Sequence, residues 1–394
     1  MATESFTLRW GIMATGFIAE MFTRDLLTNP ATREATDVNH KLVAVASSKE
    51  AQKATDFIKK VDGPAEAKAY GSYADLVNDP DVDIVYVATP HSHHFQNTML
   101  ALHAGKHVLC EKALTVTADQ ARRLAETARE KKLFLMEAVW TRHQPLSKKV
   151  RELVAAGEIG PVSRVFADIA FNNLAADGSG KLYHDDASRS VNLDLAGGAL
   201  LDLGVYALTW VFQVLYHLQP EADREKPEVV AALNKYHTGS DDSTAIILRF
   251  PRHNTLAVAT TSMRTATDPS DKGLVPSVRI QGAKGEIQVA NPSFRPDHYR
   301  IIRKDGGGDV ETVKFDPPVD PARGGWGQGF YWQADEAARC IRDGKTESAV
   351  MPLDESIAIM EVVDAALQQG GVTYPDHITS TDYDPQNPLN TGKA

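Results

Sequence analysis

From Thr7 to about Glu137, short apolar runs alternate with stretches whose apolar positions recur every three or four residues. The runs read as strands covered on both faces and the stretches as helices lying over them, which predicts a doubly wound parallel sheet. The expected strands are Thr7–Met13, Lys41–Ser47, Ile84–Ala88, His107–Glu111 and Leu133–Met136. The expected helices are Ile18–Leu27, Glu50–Lys60, Phe95–Ala104 and Ala118–Lys131, the last opened by a capping-box pattern at Thr117 and Gln120.

Beyond Pro161 the period changes to two, over Val162–Phe171, Val229–His237, Ser243–Phe250, Thr255–Met263, Val278–Gln281 and Glu286–Ala290. Such alternation predicts antiparallel strands with one covered face, and Gly282–Gly285 predicts a hairpin between the last two. Helices are expected over Tyr331–Arg342 and over Asp354–Gln369, with Asp354 as the cap of the second. Ala175–Lys181 and Asp305–Asp309 read as loops, and the last residues of the polar tail that begins at Asp384 are expected to be poorly ordered. A chain of 394 residues exceeds one ordinary core, and the change of texture divides it into residues 1–140 and 141–394.

The formal charge of −10 excludes polyanionic partners such as nucleic acid or an anionic membrane surface, which reward clustered Lys and Arg. Two cysteines, Cys110 and Cys340, are too few for a disulfide framework and point to a reducing, cytoplasmic compartment. The opening residues, MATESFTLRWGIM, lack the basic and apolar regions of a secretory leader. Ala199–Leu218 is about long enough to span a bilayer, yet it contains Asp202, Gln213 and His217. A lone carboxylate in hydrocarbon costs at least ~2.5 kcal/mol, so a buried helix of a soluble protein is expected there.

Candidate chemistry gathers at strand ends. The first strand runs into GIMATGFIA, where Ala14, Gly16 and Ala19 occupy the three positions of a dinucleotide-binding turn. Gly16 lets the backbone approach a pyrophosphate, and Ala19 allows close packing of helix on strand. The second strand ends in Ala46, Ser47, Ser48 and Lys49, without the acid that normally holds the ribose hydroxyls of NAD. Two hydroxyls and an ammonium suit a 2′-phosphate, which favours NADP; a simple helix start at Ser48 is the alternative.

ATPHSHH (Ala88–His94) and CEKAL (Cys110–Leu114) close two further strands, at the edge where ligands bind in open sheets. Lys112 can there stabilise charge developing on a substrate oxygen; a surface pair with Glu111 is the alternative. In GGALLDLGVYALTW, Asp202 and Tyr206 lie four residues apart and so share a helical face. Asp202, the one charged side chain between Ala199 and Leu218, needs a partner when buried among apolar residues, and Lys112 is a candidate. The alternative is that Asp202 bridges within its own domain while Tyr206 is a core aromatic. No metal-ligand cluster is read from the sequence.

VATPHSHH, AGKHVLCEKA, FLMEAVWTR (Phe134–Arg142), GGALLDLGVY and GGVTYP (Gly370–Pro375) together resemble the glucose-fructose oxidoreductase and inositol dehydrogenase (Gfo/Idh/MocA) family over nearly the whole length. The resemblance implies an N-terminal Rossmann domain that binds NADP and a C-terminal substrate-binding α/β domain with an open, mostly antiparallel sheet through which a homodimer forms. It implies that Lys112 is the catalytic lysine, and that Asp202 and Tyr206 position substrate and move protons. It also implies that Gly16, Phe17, Ile18, Ser47, Ser48, Lys49, Thr89, His91, His94 and Glu111 line the cofactor. Trp140 and Arg142 are candidates to contact cofactor or sugar, by stacking and by hydrogen bonds; a buried core role explains Trp140 equally.

Two departures from the family pattern matter. Ala113 stands where most members have proline, and because a non-prolyl cis bond costs ~2.5–4 kcal/mol, a trans Lys112–Ala113 bond is expected. Tyr206 replaces the commoner His; a free phenol titrates near 10, so it needs a neighbouring cation such as Lys112 to act as a base. The leading expectation is oxidation of an aldose, specifically D-xylose, at its anomeric carbon to a lactone. Alternatives are dehydrogenation of a trans-dihydrodiol to a catechol and a non-catalytic, cofactor-sensing regulator of the same fold.

Overall fold

The computed structural model describes residues 5–304 and 310–392. The opening Met1–Glu4, the expected loop Asp305–Asp309 and the last two tail residues lie outside the described residues.

In chain order the elements begin β1 (Phe6–Met13), α1 (Phe17–Leu26), β2 (Val38–Ala46), α2 (Ala51–Lys60), β3 (Lys68–Tyr70), α3 (Tyr73–Asn78) and β4 (Ile84–Val87). They continue α4 (His91–His103), β5 (His107–Cys110), α5 (Ala118–Lys131), β6 (Leu135–Glu137), α6 (Pro145–Ala155) and β7 (Val162–Ala170). Next come α7 (Val205–Leu215), β8 (Glu228–Lys235), β9 (Asp241–Phe250), β10 (Thr255–Ser262), β11 (Val278–Gly282) and β12 (Gly285–Val289). The last are β13 (His298–Arg303), β14 (Val310–Lys314), α8 (Tyr331–Arg342), α9 (Leu353–Gln369), α10 (Asp376–Thr379) and α11 (Pro388–Thr391).

Two compact units result. The first joins the residues up to Trp140 with Pro317–Ser356 and the stretch from Thr379 onward; the second joins Thr141–Asp316 with Ile357–Ile378. The C-terminal stretches of the first unit are tied in by buried polar contacts. Arg33 donates to both carboxylate oxygens of Asp335 on α8, at 2.8 and 2.9 Å, and His40 Nε2 meets the same carboxylate at 2.8 Å. Trp10 Nε1 donates to His40 Nδ1, so Nε2 carries the hydrogen that Asp335 accepts and the ring is neutral. Burial, which lowers the pKa of His40, works in the same direction.

The first unit's sheet has the order β3-β2-β1-β4-β5-β6 with every pair parallel, so the chain reverses direction of growth between β1 and β4. The carboxyl ends of β1, β4 and β5 thus meet at the switch point, where open sheets bind ligands. Thr117 Oγ accepts from Gln120 N as in a capping box, but Gln120 Oε1 takes its hydrogen from Val116 N rather than from the cap residue. In the tail, α11 forms and Asn97 Nδ2 donates to Leu389 O at 3.1 Å.

The second unit's sheet has the order β14-β13-β12-β11-β7-β10-β9-β8, antiparallel throughout except for the β7–β10 pair. The Gly282–Gly285 hairpin closes β11 on β12. Leu193–Leu215 is long and apolar enough to cross a membrane by length and composition, but 83% of its apolar window is buried. Its polar members find partners inside the unit. Gln213 Oε1 accepts from Arg151 at 2.7 Å, Trp210 Nε1 donates to Ser293 O at 2.8 Å, and Thr209 returns a bond to Val205 O.

One expectation is overturned: the Lys112–Ala113 peptide is cis. The local preference for trans yields to tertiary contacts. Ala113 and Leu114 are fully buried. His91 Nε2 donates to Lys112 O at 3.1 Å, His94 Nδ1 to Ala113 O at 2.8 Å, and Leu114 N to Glu137 Oε1 at 2.9 Å.

Candidate active site

Within the first unit, the turn after β1 places Ala14 at φ +86°, the left-handed region that usually takes glycine. Gly16 then caps α1, and a Cβ added there would meet nothing within 4 Å. The amides of Phe17 and Ile18 open the helix, the positive end of its dipole. Phe17 is 75% exposed, whereas Ala19 is fully buried against the sheet.

At the end of β2, Ser47 is buried and its Oγ accepts from Glu50 N at 3.5 Å, while Lys49 is exposed. Ser48 is half-buried. The chain's end reaches the same place: a Cβ on Gly392, at φ +68°, would come 2.7 Å from Ser48 Cβ. Gly392 is a contact that no local sequence signal announces.

At the end of β4, Thr89 Oγ1 is buried with no hydrogen-bond partner among the described residues. Thr89 O meets His94 Nε2 at 2.9 Å, and since Nδ1 of the same ring meets Ala113 O, both ring nitrogens face acceptors. Only a ring carrying hydrogen on both nitrogens satisfies both. The two histidines, in the first turn of α4, grip the backbone on which Lys112 sits. Helix α4 begins four residues earlier than the apolar pattern predicts, because its first turn spends His91 and His94 on this loop.

Glu111, buried after β5, accepts from Tyr86 Oη at 2.5 Å and from Lys112 N at 3.3 Å. Glu137, fully buried at the end of β6, has its carboxyl pushed up by burial despite the hydrogen bond from Leu114. It was missed in the sequence, though a carboxylate inside the apolar run FLMEAVW is a usable signal. Trp140 is buried and stacks on Phe330 with ring centroids 3.9 Å apart and planes 1° apart. Phe330 lies 190 positions away, beyond the reach of local pattern.

Within the second unit, a π-helical turn, Leu200–Gly204, precedes α7 and carries Asp202; Tyr206 follows in α7. Asp202 is only partly buried, its side chain 20% exposed, and Arg189 Nη1 donates to it at 3.3 Å. Asp202 is thus bridged within its own unit by an arginine 13 residues earlier, the alternative that the sequence left open. Tyr206 is buried, its ring tilted against that of Phe294 with centroids 5.7 Å apart. Arg142 is fully buried, and its carbonyl accepts from Arg151 at 3.1 Å.

A parallel sheet with a glycine turn at its switch point, joined to a second α/β unit with a polar pair on an apolar helix, defines a two-domain Rossmann oxidoreductase. Residues 8–139 match the oxidoreductase family model with an NAD-binding Rossmann fold, and residues 147–288 match the GFO/IDH/MocA C-terminal domain. The chain is 62% identical to the D-xylose 1-dehydrogenase (NADP(+)) of Hypocrea jecorina over 387 residues, 98% of each protein. It is 33% identical to the human trans-1,2-dihydrobenzene-1,2-diol dehydrogenase over 371 residues, 93% of this chain and 98% of that enzyme. Its fold is that of the aldose-aldose oxidoreductase of Caulobacter crescentus, with a TM-score of 0.73 and 22% identity over 93% of this chain and 98% of the other. The chain belongs to the GFO/IDH/MocA family of oxidoreductases.

Proposed function

We propose that the protein is an NADP-dependent sugar dehydrogenase that oxidises D-xylose at its anomeric carbon to the lactone. The observation that carries this reading is the 62% identity, over 98% of both chains, to a D-xylose 1-dehydrogenase. The chain's own residues fit the cofactor. Gly16 offers open space at the start of α1, Thr89 Oγ1 is an orphaned buried hydroxyl, and Ser47, Ser48 and Lys49 stand where an NAD site would carry an acid.

Gly16, Phe17 and Ile18 would hold the pyrophosphate; Ser47, Ser48 and Lys49 the 2′-phosphate; and Thr89, His91, His94 and Glu111 the nicotinamide half. Trp140 and Arg142 would contact cofactor or sugar, by stacking and by hydrogen bonds. When bound, NADP supplies the hydride acceptor. Lys112 and Tyr206 take the proton of the anomeric hydroxyl as a coupled pair, the ammonium favouring the phenolate. Asp202 orients the sugar.

Residues 1–140, with Pro317–Ser356 and the stretch from Thr379 that join them in the first unit, serve as the NADP domain, and Thr141–Asp316 with Ile357–Ile378 supplies the substrate-binding and dimerisation domain. The homodimer uses the open face of the eight-stranded sheet, where Val230, Ile247 and Leu256 are exposed. A cytoplasmic location fits Cys110 and Cys340, both free and buried.

The test is NADPH formation from D-xylose, other pentoses and hexoses, and trans-1,2-dihydrobenzene-1,2-diol, assayed side by side. D-xylose is expected to give the highest kcat/KM. Turnover of the dihydrodiol alone would move the protein to the second reading, which the 33% identity to such enzymes supports. Absence of turnover with every sugar removes the first.

A further inference from the structure

The helix that carries Asp202 and Tyr206 begins at an unusually crowded point. Gly197 and Gly198 enter it, and a Cβ on Gly197 would lie 2.7 Å from the amides of Val191 and Asn192. Gly198 sits at φ +145°, and a Cβ there would come 2.2 Å from Asp241 Oδ1. Gly197 thus lets this backbone press against the Val191–Asn192 backbone, and Gly198 against the first residue of β9.

Asp241 is fully buried. Its Oδ2 accepts from Leu200 N, in the first turn of the helix, and from Thr244 Oγ1, both at 2.8 Å. Its Oδ1 has no hydrogen-bond partner among the described residues. The neighbouring carbonyls are held as well: Tyr374 Oη donates to Gly197 O at 2.9 Å, and Asp202 N to Gly198 O at 3.3 Å. A buried carboxylate aimed at the opening amides of a helix complements both their hydrogens and the dipole. From Leu200 the π turn leads directly to Asp202 and Tyr206, so a shift of the first amide moves both side chains.

We propose that Asp241 is a positioning residue of the reaction, a buried carboxylate that fixes the start of the Leu200–Leu215 helix and through it the placement of Asp202 and Tyr206. The inference rests on the reading that those two residues serve the sugar. Burial pushes the Asp241 carboxyl up to about 6, against the hydrogen bonds from Thr244 and Leu200 and with the help of neighbouring Asp242. The other titratable and charged groups on the elements around it are Tyr374, the Asp242–Arg264 pair, Asp202 with Arg189, and His237 with Asp186 on the turn before β9.

The test compares wild type with Asp241→Asn, which keeps volume and an acceptor but cannot carry charge. Above neutral pH the variant is expected to lose about tenfold in kcat/KM for D-xylose, the scale of a small misplacement of acid/base groups, with the Kd for NADPH unchanged. As pH falls through about 6, where wild-type Asp241 itself becomes neutral, the wild-type to variant ratio should shrink towards one. A ratio of one throughout, or a loss that does not change with pH, overturns the proposal.

Thr244→Val serves if Asp241→Asn does not fold. Removing its hydrogen bond, which lowers the Asp241 pKa, should move the wild-type inflection to higher pH; an unmoved inflection counts against the proposal. Hydrogen exchange of the Leu200–Tyr206 amides is read in parallel and needs no substrate. Exchange about tenfold faster in Asp241→Asn is expected, and unchanged exchange overturns the inference. Tyr206→Phe separates the two readings: full sugar turnover in that variant removes the assignment of Tyr206, while its loss beside an unaffected Asp241→Asn removes only the role of Asp241.

Discussion

Lys112 illustrates how a short motif acquires its geometry from distant residues. Its carbonyl and that of Ala113 are taken by His91 and His94, and Glu137 receives the amide of Leu114, so the loop is held from two elements at once. Lys112→Ala and Tyr206→Phe are each expected to lower turnover of D-xylose by ~100-fold or more, the usual contribution of an acid/base group. NADPH binding, followed by fluorescence titration, should stay nearly intact, because neither side chain is assigned to the phosphates; undiminished turnover in either variant removes that residue's role. Lys49→Glu puts a negative charge beside the proposed 2′-phosphate, and the kcat/KM ratio of NADP to NAD should fall by about tenfold, the effect of ~1.4 kcal/mol of repulsion. An unchanged ratio would place the 2′-phosphate elsewhere. Lys49 and Lys112 were legible because each stands in a motif at a strand end, and Tyr206 because it lies four residues from a carboxylate in an apolar helical stretch. Thr89 apart, what surrounds them was not, since Phe330, Gly392 and Arg189 approach only when the chain folds.

At the scale of elements, legibility follows burial. β4 and β5 are short, largely apolar runs, and β1 and β2 end in buried apolar runs, which announce them. β3 is a three-residue edge strand, and β14 is mostly exposed, so neither shows a period to read. β13 reads HYRIIR, where Arg303 offsets the apolar alternation by pairing with Glu158 and Glu311. The π-helical turn at Leu200 spans five residues, too few for its wider period to differ visibly from 3.6. Helix α8 was legible as a helix but not as a member of the first unit, because the contact that places it joins Arg33 to Asp335 across 302 positions. Burial alone would raise the Asp335 carboxyl, but hydrogen bonds from Arg33 and His40 outweigh it and hold it at about 2. Its contribution to stability is therefore complete above the ordinary carboxylate range and lost as pH falls through about 2. Asp335→Ala leaves the Arg33 guanidinium, whose side chain is 1% exposed, without its counter-ion, and should cost about 3–5 kcal/mol in urea unfolding at pH 7. A loss below about 1 kcal/mol would mean the network is not what ties α8 to the sheet.

At the scale of the molecule, two sheets meet different needs. The parallel sheet, flanked by helices, leaves its ligand at one edge, whereas the second sheet has one face on α7 and the other open, as its period-two sequence requires. On the covered face, Ile246, Leu248, Ala257 and Ala259 are buried. On the open face the ladder sets Val230 opposite Ile247, Ile247 opposite Val258, and Val258 opposite Phe166, a continuous apolar row across four strands. Val230 is 63% exposed and Ile247 45%, while Arg279 ends the row beyond Phe166, and Arg164, Arg249 and Glu286 supply charge along the neighbouring row. An apolar stripe bordered by polar residues on a broad sheet is the arrangement of a self-complementary two-fold interface. The expected outcome is a particle of twice the chain's mass in sedimentation velocity at micromolar concentration. Ile247→Lys should convert it to the monomer without unfolding, since the substituted side chain lies on the open face and the core beneath it is untouched. A monomeric wild type, or a dimer indifferent to a lysine in the middle of that row, would show that this face meets solvent rather than a second copy.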